Sequence, residues 1–454
     1  MNKLNSSFRD PAGFIFTSDN GEILRQVNAS GADEYDALMS SGLYDSLVKK
    51  GYLIGHEEVE NIYSEAYKTI KPDLLSFISY PYEWSFGQMK DAALLTLFIQ
   101  KAALKKGLSL KDASAYNVQF KNGKPVFIDT LSFEDYQEGK PWVAYKQFCQ
   151  HFLAPLALAS HTDIRTFQLL KSNIDGIPLD LASTLLPRKT KFAFSLATHI
   201  HLHAKTQKKY ANKQTNEKSG KGVSKMAMLG LIDNLIGAVK KLTWNPKGTE
   251  WGEYYTFTNY SDSSFDEKHK IVADYIDAIK PSQVWDLGAN DGTFSSIASS
   301  KGIDTVAFDI DPIAVEKNYR RVKQDKIPML PLQLDLTNPS NSIGWAHEER
   351  DSLEQRGRVD AVMALAIIHH IAISNNVPLP KVADYLSRLG KNLIIEFVPK
   401  EDSQVKILLS TREDIFVDYH LEGFEAAFLP YFEIVEKQTV GDSVRTLYYL
   451  KAKN

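Results

Sequence analysis

Cysteine is all but missing from this chain, with one, Cys149, in 454 residues. A single thiol excludes an intrachain disulfide and any cysteine-built zinc site, which fits a reducing compartment. Charge of one sign is missing too. Lys and Arg number 53 against 56 Asp and Glu, for a formal net charge of -3, so no global field draws the protein to nucleic acid or to an anionic membrane. Any basic surface must be local. Long hydrophobic runs are absent as well, since the longest apolar stretch, "MAMLGLIDNLIGAV", is interrupted by Asp233 and is too short to span a bilayer. The opening "MNKLNSSFRDPAGF" lacks the apolar centre of a secretory signal. The expectation is a cytoplasmic protein without a membrane span.

What is present is the composition of a globular protein, 43% hydrophobic and 24% charged, in a chain too long for one ordinary core. The first hundred residues mix short strand-like runs, "GFIFTS" and "EILRQV" around a turn at Asp19-Asn20-Gly21, with helical patterns such as "DAALLTLFIQKAALKKG". From Pro141 to about Ala211 the pattern is mainly helical. Between Arg188 and Lys247 thirteen Lys and Arg face only Glu217 and Asp233, and the centre of that stretch has no apolar periodicity. After Trp251 apolar strands alternate with helical segments, which argues for a mostly parallel sheet, and the last two, "YFEIVEKQ" and "RTLYYLKAK", form an antiparallel hairpin. The expected organisation is residues 1–211, a basic linker at 212–250, and an α/β domain at 251–454.

The strand "VWDLGANDGTF", 284–294, runs into a glycine-rich turn. In an open α/β sheet the ligand lies beyond the carboxyl ends of the strands, and glycines there let backbone approach it. Asp286 and Asp291 suit a ligand with an ammonium and a sulfonium better than a pyrophosphate. The next strand ends "FDID", placing Asp309 to accept from a ribose, and a third ends "LDL", placing Asp335 near an exocyclic amine. Acid, glycine turn, acid, acid at successive strand ends resembles the class I S-adenosylmethionine-dependent methyltransferases. The resemblance implies a Rossmann-like sheet with a terminal antiparallel hairpin and S-adenosyl-L-methionine as cofactor. It assigns Asp286, Gly288, Ala289, Asn290 and Gly292 to the methionine-side loop, Asp309 and Ile310 to the ribose, and Asp335 and Leu336 to the adenine. Asn290 replaces the family's middle glycine, and asparagine tolerates φ > 0.

Methyl transfer needs a base only when the acceptor holds its proton tightly. "ALAIIHHIAI" after the fourth strand supplies His369 and His370, and Glu396 ends the fifth. Each is a candidate base, and each can equally be structural. The amino-methylating tetrapeptide Asn-Pro-Pro-aromatic is absent, which tilts toward an oxygen acceptor. The C-terminal "EFVPKEDSQVKILLSTREDIFVDYHLEGFEAAFLPYFEIVEK" together with the N-terminal half resembles the bacterial methyltransferases related to the nodulation protein NoeA. That implies a small-molecule or glycan hydroxyl as acceptor.

In the N-terminal half "LKDASAYNVQFKNGKPVFIDTLSFE" resembles the core of kinase-like phosphotransferases, with Asp112, Asn117 and Asp129 at the family's spacing. No glycine-rich phosphate loop and no third-strand lysine accompany them, so an α+β pseudokinase is expected. "HIHLH" places His199, His201 and His203 on a helical pattern, where alternate residues do not face one another, so no metal site is expected. The basic stretch reads as a solvated face, with an anionic partner as the alternative. Two readings compete with an O-methyltransferase: an RNA-modifying methyltransferase that grips its substrate through 188–247, and a non-catalytic interaction protein that keeps the cofactor pocket.

Overall fold

The computed structural model describes residues 2–204, 222–245 and 262–453. It divides into two compact units, Met1–Asn245 with Ser342–Arg350, and Pro246–Asn341 with Asp351–Asn454.

Unit 1 begins with an antiparallel sheet in the order β1-β2-β3-β5-β4, formed by β1 (Asn2–Lys3), β2 (Gly13–Thr17), β3 (Ile23–Asn28), β4 (His56–Val59) and β5 (Ala66–Pro72). The turn between β2 and β3 falls at the expected place because Gly21 takes φ +81° and pairs Thr17 with Ile23. Helices α1 (Ala32–Ser40) and α2 (Leu43–Lys49) precede β4. Helix α3 (Phe86–Lys105) is the long apolar pattern, and Ser85 starts it with a capping box: its Oγ accepts from the Gln88 N–H, and Gln88 Oε1 accepts from the Ser85 N–H. Two short pairs follow, β6 (Leu108–Leu110) with β9 (Phe133–Asp135) and β7 (Val118–Lys121) with β8 (Lys124–Phe127). Asn122 and Gly123 both take φ > 0 in the β7–β8 turn, the conformation that the tight turn of a hairpin requires.

The expected linker is corrected in part. Residues 225–241 form α5, after α4 (Leu179–Leu185), and both belong to unit 1. The apolar residues Met228, Ile232, Leu235 and Val239 are buried because their spacing lays one stripe along the helix, and it packs on α3. Lys101 pairs with Asp233, and Lys90 Nζ donates to the carbonyls of Lys240 and Leu242, closing the helix end. Residues 212–221 and the expected boundary at 250/251 lie outside the described residues. A second correction is the stretch Ser342–Arg350, expected within the C-terminal domain but part of unit 1. Its ends pair through Ile343 and Arg350, Glu349 receives Arg9 at 2.6 Å, and the Arg350 guanidinium lies 4.4 Å from the centre of the Tyr116 ring.

Unit 2 opens with α6 (Asp262–Ile279) and holds a seven-stranded sheet in the order β12-β11-β10-β13-β14-β16-β15. Its strands are β10 (Gln283–Leu287), β11 (Asp304–Asp309), β12 (Met329–Gln333), β13 (Val359–Ala364), β14 (Gly390–Phe397), β15 (Phe432–Thr439) and β16 (Thr446–Ala452), with α7 (Ser295–Ser299), α8 (Pro312–Asp325) and α9 (Leu379–Leu389) among the connections. The first five are parallel, and β16 inserts antiparallel beside β14 with β15 outside it. This is a doubly wound α/β sheet carrying the expected hairpin. The central strands are buried along nearly their whole length, which is why they read as apolar runs rather than alternating patterns. Register levels the strand ends: Leu287 faces Phe308 and Asp309 faces Gln333. Asp286, Asp309 and Asp335 therefore gather at one edge. Among the described residues no helix is long and apolar enough to cross a membrane.

Candidate functional site

At that edge the carboxyl ends of β10–β13 and helix α6 enclose a cavity of about 410 Å³. Its wall includes Asp286, Gly288, Ala289, Asn290, Asp309, Ile310, Asp335 and Leu336 of the expected loop and pocket residues, and His370 of the candidate bases. Gly292, His369 and Glu396 are not on it.

Asp286 is held inside unit 2, 1% exposed, with Oδ2 accepting from the Ser295 hydroxyl at 2.6 Å. Oδ1 finds no hydrogen-bond partner among the described residues. Burial pushes the carboxyl up to about 7, against the Ser295 hydrogen bond and with nearby Asp309 adding to the rise. Asp309 closes β11 and orients by backbone: Oδ2 accepts from the Asn290 N–H at 2.7 Å and Oδ1 from the Asp311 N–H at 2.8 Å. Burial raises it to about 6. Each of its oxygens keeps a lone pair for a further donor. Asp335 is half-buried, and one oxygen takes both the Thr337 N–H and hydroxyl, a local turn that aims the carboxylate. Ile310, 55% exposed, offers a flat apolar side.

The turn itself behaves as the residue types suggest. Gly288, Asn290 and Gly292 take φ of +84°, +49° and +81°, so asparagine adopts the left-handed conformation where the resemblance places a glycine. The glycines also have a reason beyond the expected one. A Cβ on Gly288 would stand 2.7 Å from Ile367 Cδ1, and one on Gly292 would stand 2.5 Å from Asn318 Nδ2. Both glycines make room for protein.

Of the two histidines, His370 lines the cavity, and burial pushes its imidazole down to about 4. His369 is 1% exposed, with its ring 4.0 Å from that of His370 and Nδ1 unpartnered among the described residues. Burial holds it well below the usual histidine range. Glu396, expected as a second acid or base, is fully buried against Lys268 at 2.6 Å and Arg445 at 3.7 Å, and Arg445 continues to Asp402 at 2.7 Å. This is a buried ion-pair network, and the structure thereby removes Glu396 from the cavity wall and puts Lys268 there instead. Lys268 was missed by the sequence reading, although its spacing from Phe265 and Val272 sets it on the apolar stripe of α6 and marks it as a buried cation. Burial lowers its pKa, and Glu396 opposes the fall.

In unit 1 the structure also brings together the three residues singled out there. Asn117 Nδ2 donates to the Ser132 hydroxyl at 3.3 Å, that hydroxyl donates to Asp129 at 2.5 Å, and Asp112 Oδ1 accepts from the Ser114 N–H and Gln147 Nε2. Asp129 receives Arg25 from β3 at 2.5 Å, and Arg25 also reaches Asp10 at 2.9 Å. Burial pushes Asp129 up, but Arg25 and the Ser132 hydroxyl outweigh it and hold the carboxyl below its ordinary value. His199 sits between Tyr145 and Asn234, and His201 between Ser183 and Thr190.

Among known proteins, no family model matches the chain. It is 36% identical over 452 residues to the nodulation protein NoeA of Rhizobium meliloti (strain 1021), covering 97% of this chain and 94% of that protein. Slight structural likenesses extend to the magnesium protoporphyrin IX methyltransferase ChlM from Synechocystis PCC 6803, crystallised with bound SAH (16% identity, 45% of this chain and 93% of that one, TM-score 0.32). Another is the N-methyltransferase NodS from Bradyrhizobium japonicum WM9 (11% identity, 43% and 99%, TM-score 0.31).

Proposed function

Because the chain belongs to the family of the nodulation protein NoeA, we propose that unit 2 is an S-adenosylmethionine-dependent methyltransferase whose acceptor is a hydroxyl on a small molecule or glycan. The observation that carries this is Asp286, a buried carboxylate in the cavity wall with one oxygen lacking any partner among the described residues. A buried anion of that kind calls for a cationic ligand. The groups along the wall suit S-adenosylmethionine from end to end: Asp286 and Lys268 toward its ammonium and carboxylate, Asp309 toward the ribose hydroxyls, and Ile310, Asp335 and Leu336 toward the adenine.

The cofactor supplies an electrophilic methyl group on a sulfonium. The chain's own part is to hold, orient and exclude water. Asp309 stays fixed by two backbone N–H groups and costs no reorganisation on binding. Leu365, Ile367 and Ile371 keep the end near His370 dry. With its pKa near 4, the His370 imidazole is neutral at pH 7 and accepts a hydrogen bond from an acceptor hydroxyl, turning an oxygen lone pair toward the methyl group and taking the proton as it is lost. His369, off the wall, positions its neighbour by ring contact.

For unit 1 we propose a kinase-like scaffold without phosphotransfer. The support is Arg25, which occupies Asp129, the residue a metal-bound nucleotide would need. The relative's name connects the family to nodulation, and an acceptor among hydroxylated signal molecules is consistent with it. The test is native mass spectrometry of the purified protein for a retained adenosyl ligand, followed by calorimetry with S-adenosylhomocysteine on wild type and His370→Ala. Retained or tight binding in both, with methyl transfer lost only in the variant, is the expected pattern. Absence of any adenosyl binding sinks the reading.

A further inference from the structure

Unit 1 displays a surface that proteins ordinarily bury. Phe192 is 90% exposed, Phe194 74% and Leu185 44%. Arg188, Lys189 and Lys191 are exposed between them, and no acid occurs from 181 to 204. Scattered exposed apolar residues are ordinary. Two phenylalanines standing out one residue apart, behind three cations, are a concentrated apolar and basic tip.

The tip is built, not frayed. Thr190 is buried, and its hydroxyl donates to the Pro187 carbonyl at 2.7 Å. That leaves the hydroxyl oxygen to accept from His201 Nε2, 2.9 Å away, and His201 Nδ1 in turn accepts from the Ser183 hydroxyl at 2.8 Å. Leu186 and Leu196 are buried at either side. Residues 188–194 are therefore held from below by a buried imidazole, one of the three in "HIHLH", and the phenyl rings are presented with little ordering left to lose on binding.

We propose that this face docks the protein on an anionic lipid surface, with Phe192 and Phe194 entering the boundary between headgroups and acyl chains, and Arg188, Lys189 and Lys191 pairing with lipid phosphates. Charge complementarity favours this occupant: the whole chain is slightly acidic, but Arg188, Lys189 and Lys191 stand exposed here with no acid from 181 to 204, the pattern that draws a protein to negatively charged headgroups. The apolar part favours lipid over a nucleic acid, because Leu185 and Leu202, 59% exposed, add aliphatic surface on which bases do not stack. Attachment of this kind is interfacial and needs no spanning helix.

The experiment is co-sedimentation of the full chain with vesicles of phosphatidylcholine alone or with one third phosphatidylglycerol, at low and high salt. Wild type is expected on the anionic vesicles and to be released by salt. Phe192→Ser with Phe194→Ser should lower partitioning by roughly tenfold per ring, and Lys189→Glu with Lys191→Glu by roughly fivefold or more per site. Both pairs change exposed side chains, and an unchanged melting curve verifies their fold. No binding to anionic vesicles overturns the proposal, as does binding that the phenylalanine pair does not weaken. A dimer in light scattering that the phenylalanine pair dissolves, without vesicle binding, assigns the face to a second copy and overturns it. RNA binding lost only in the lysine pair, without vesicle binding, does the same in favour of nucleic acid.

Discussion

Replacing Asp286 by asparagine should make unit 2 more stable and its ligand binding worse, with a pH dependence that identifies the cause. The carboxyl stands at about 7 against an ordinary 3.8, which corresponds to about 4 kcal/mol in favour of its protonated form in the folded protein. Since the folded value lies above the unfolded one, the stabilising contribution is complete below about 3.8 and is lost as pH rises through about 7. Asparagine does not titrate, and its amide oxygen can keep the Ser295 hydrogen bond. The stability difference between variant and wild type should therefore grow in the variant's favour by about 2–3 kcal/mol between pH 5 and pH 8, or roughly 5–10 °C in melting temperature for a unit of this size. Calorimetry with S-adenosylmethionine at pH 8 should show a loss on the order of 2 kcal/mol, because the neutral amide no longer answers the ammonium. Thermal melts of both proteins across pH decide it. A difference that does not change with pH, or a variant that is the less stable at pH 8, would refute the picture of an unsatisfied buried carboxylate.

Asp309→Ala should weaken S-adenosylmethionine by about 1.5–3 kcal/mol in calorimetry, since two ribose hydroxyls and the Asn290 and Asp311 N–H groups lose their acceptor. Glu396→Gln should cost about 3–5 kcal/mol in urea unfolding, because Lys268 would be left as a buried cation while Arg445 keeps Asp402; a loss under 1 kcal/mol would contradict the ion-pair role. Gly288→Val should damage folding as well as binding, with a Cβ 2.7 Å from Ile367 at φ +84°, so circular dichroism and ligand titration should fail together. ATP with magnesium should leave the melting temperature of the wild type unchanged, because Arg25 already neutralises Asp129; a shift that follows ATP concentration and disappears in Asp129→Ala would make unit 1 a nucleotide site.

The strand ends were legible because apolar runs that stop at an acid beside glycines have few structural solutions. "VWDLG", "AFDID" and "LQLDL" gather their carboxylates at one edge once the strands lie parallel and in register. Local chemistry also spoke for itself at the turn Asp19-Asn20-Gly21, where Gly21 takes φ +81°. That 225–241 belongs to unit 1 and not to a linker was not legible, because its apolar stripe has its partner in α3, which composition does not show.

What the sequence by itself determined is the alternation of strands and helices, the glycine turn and the three acids, since these depend on neighbours within a few residues. The tertiary structure decided which polar groups are spent on one another. Glu396 and His370 look equally available as letters, yet Lys268, 128 residues away from Glu396 in the chain, and Arg445 consume the first and leave the second on the cavity wall. Likewise only packing shows that Gly288 yields to Ile367, that Arg25 closes on Asp129, and that His201 supports an exposed Phe192. Pairing between distant side chains is set by how elements stack, and no local pattern encodes it.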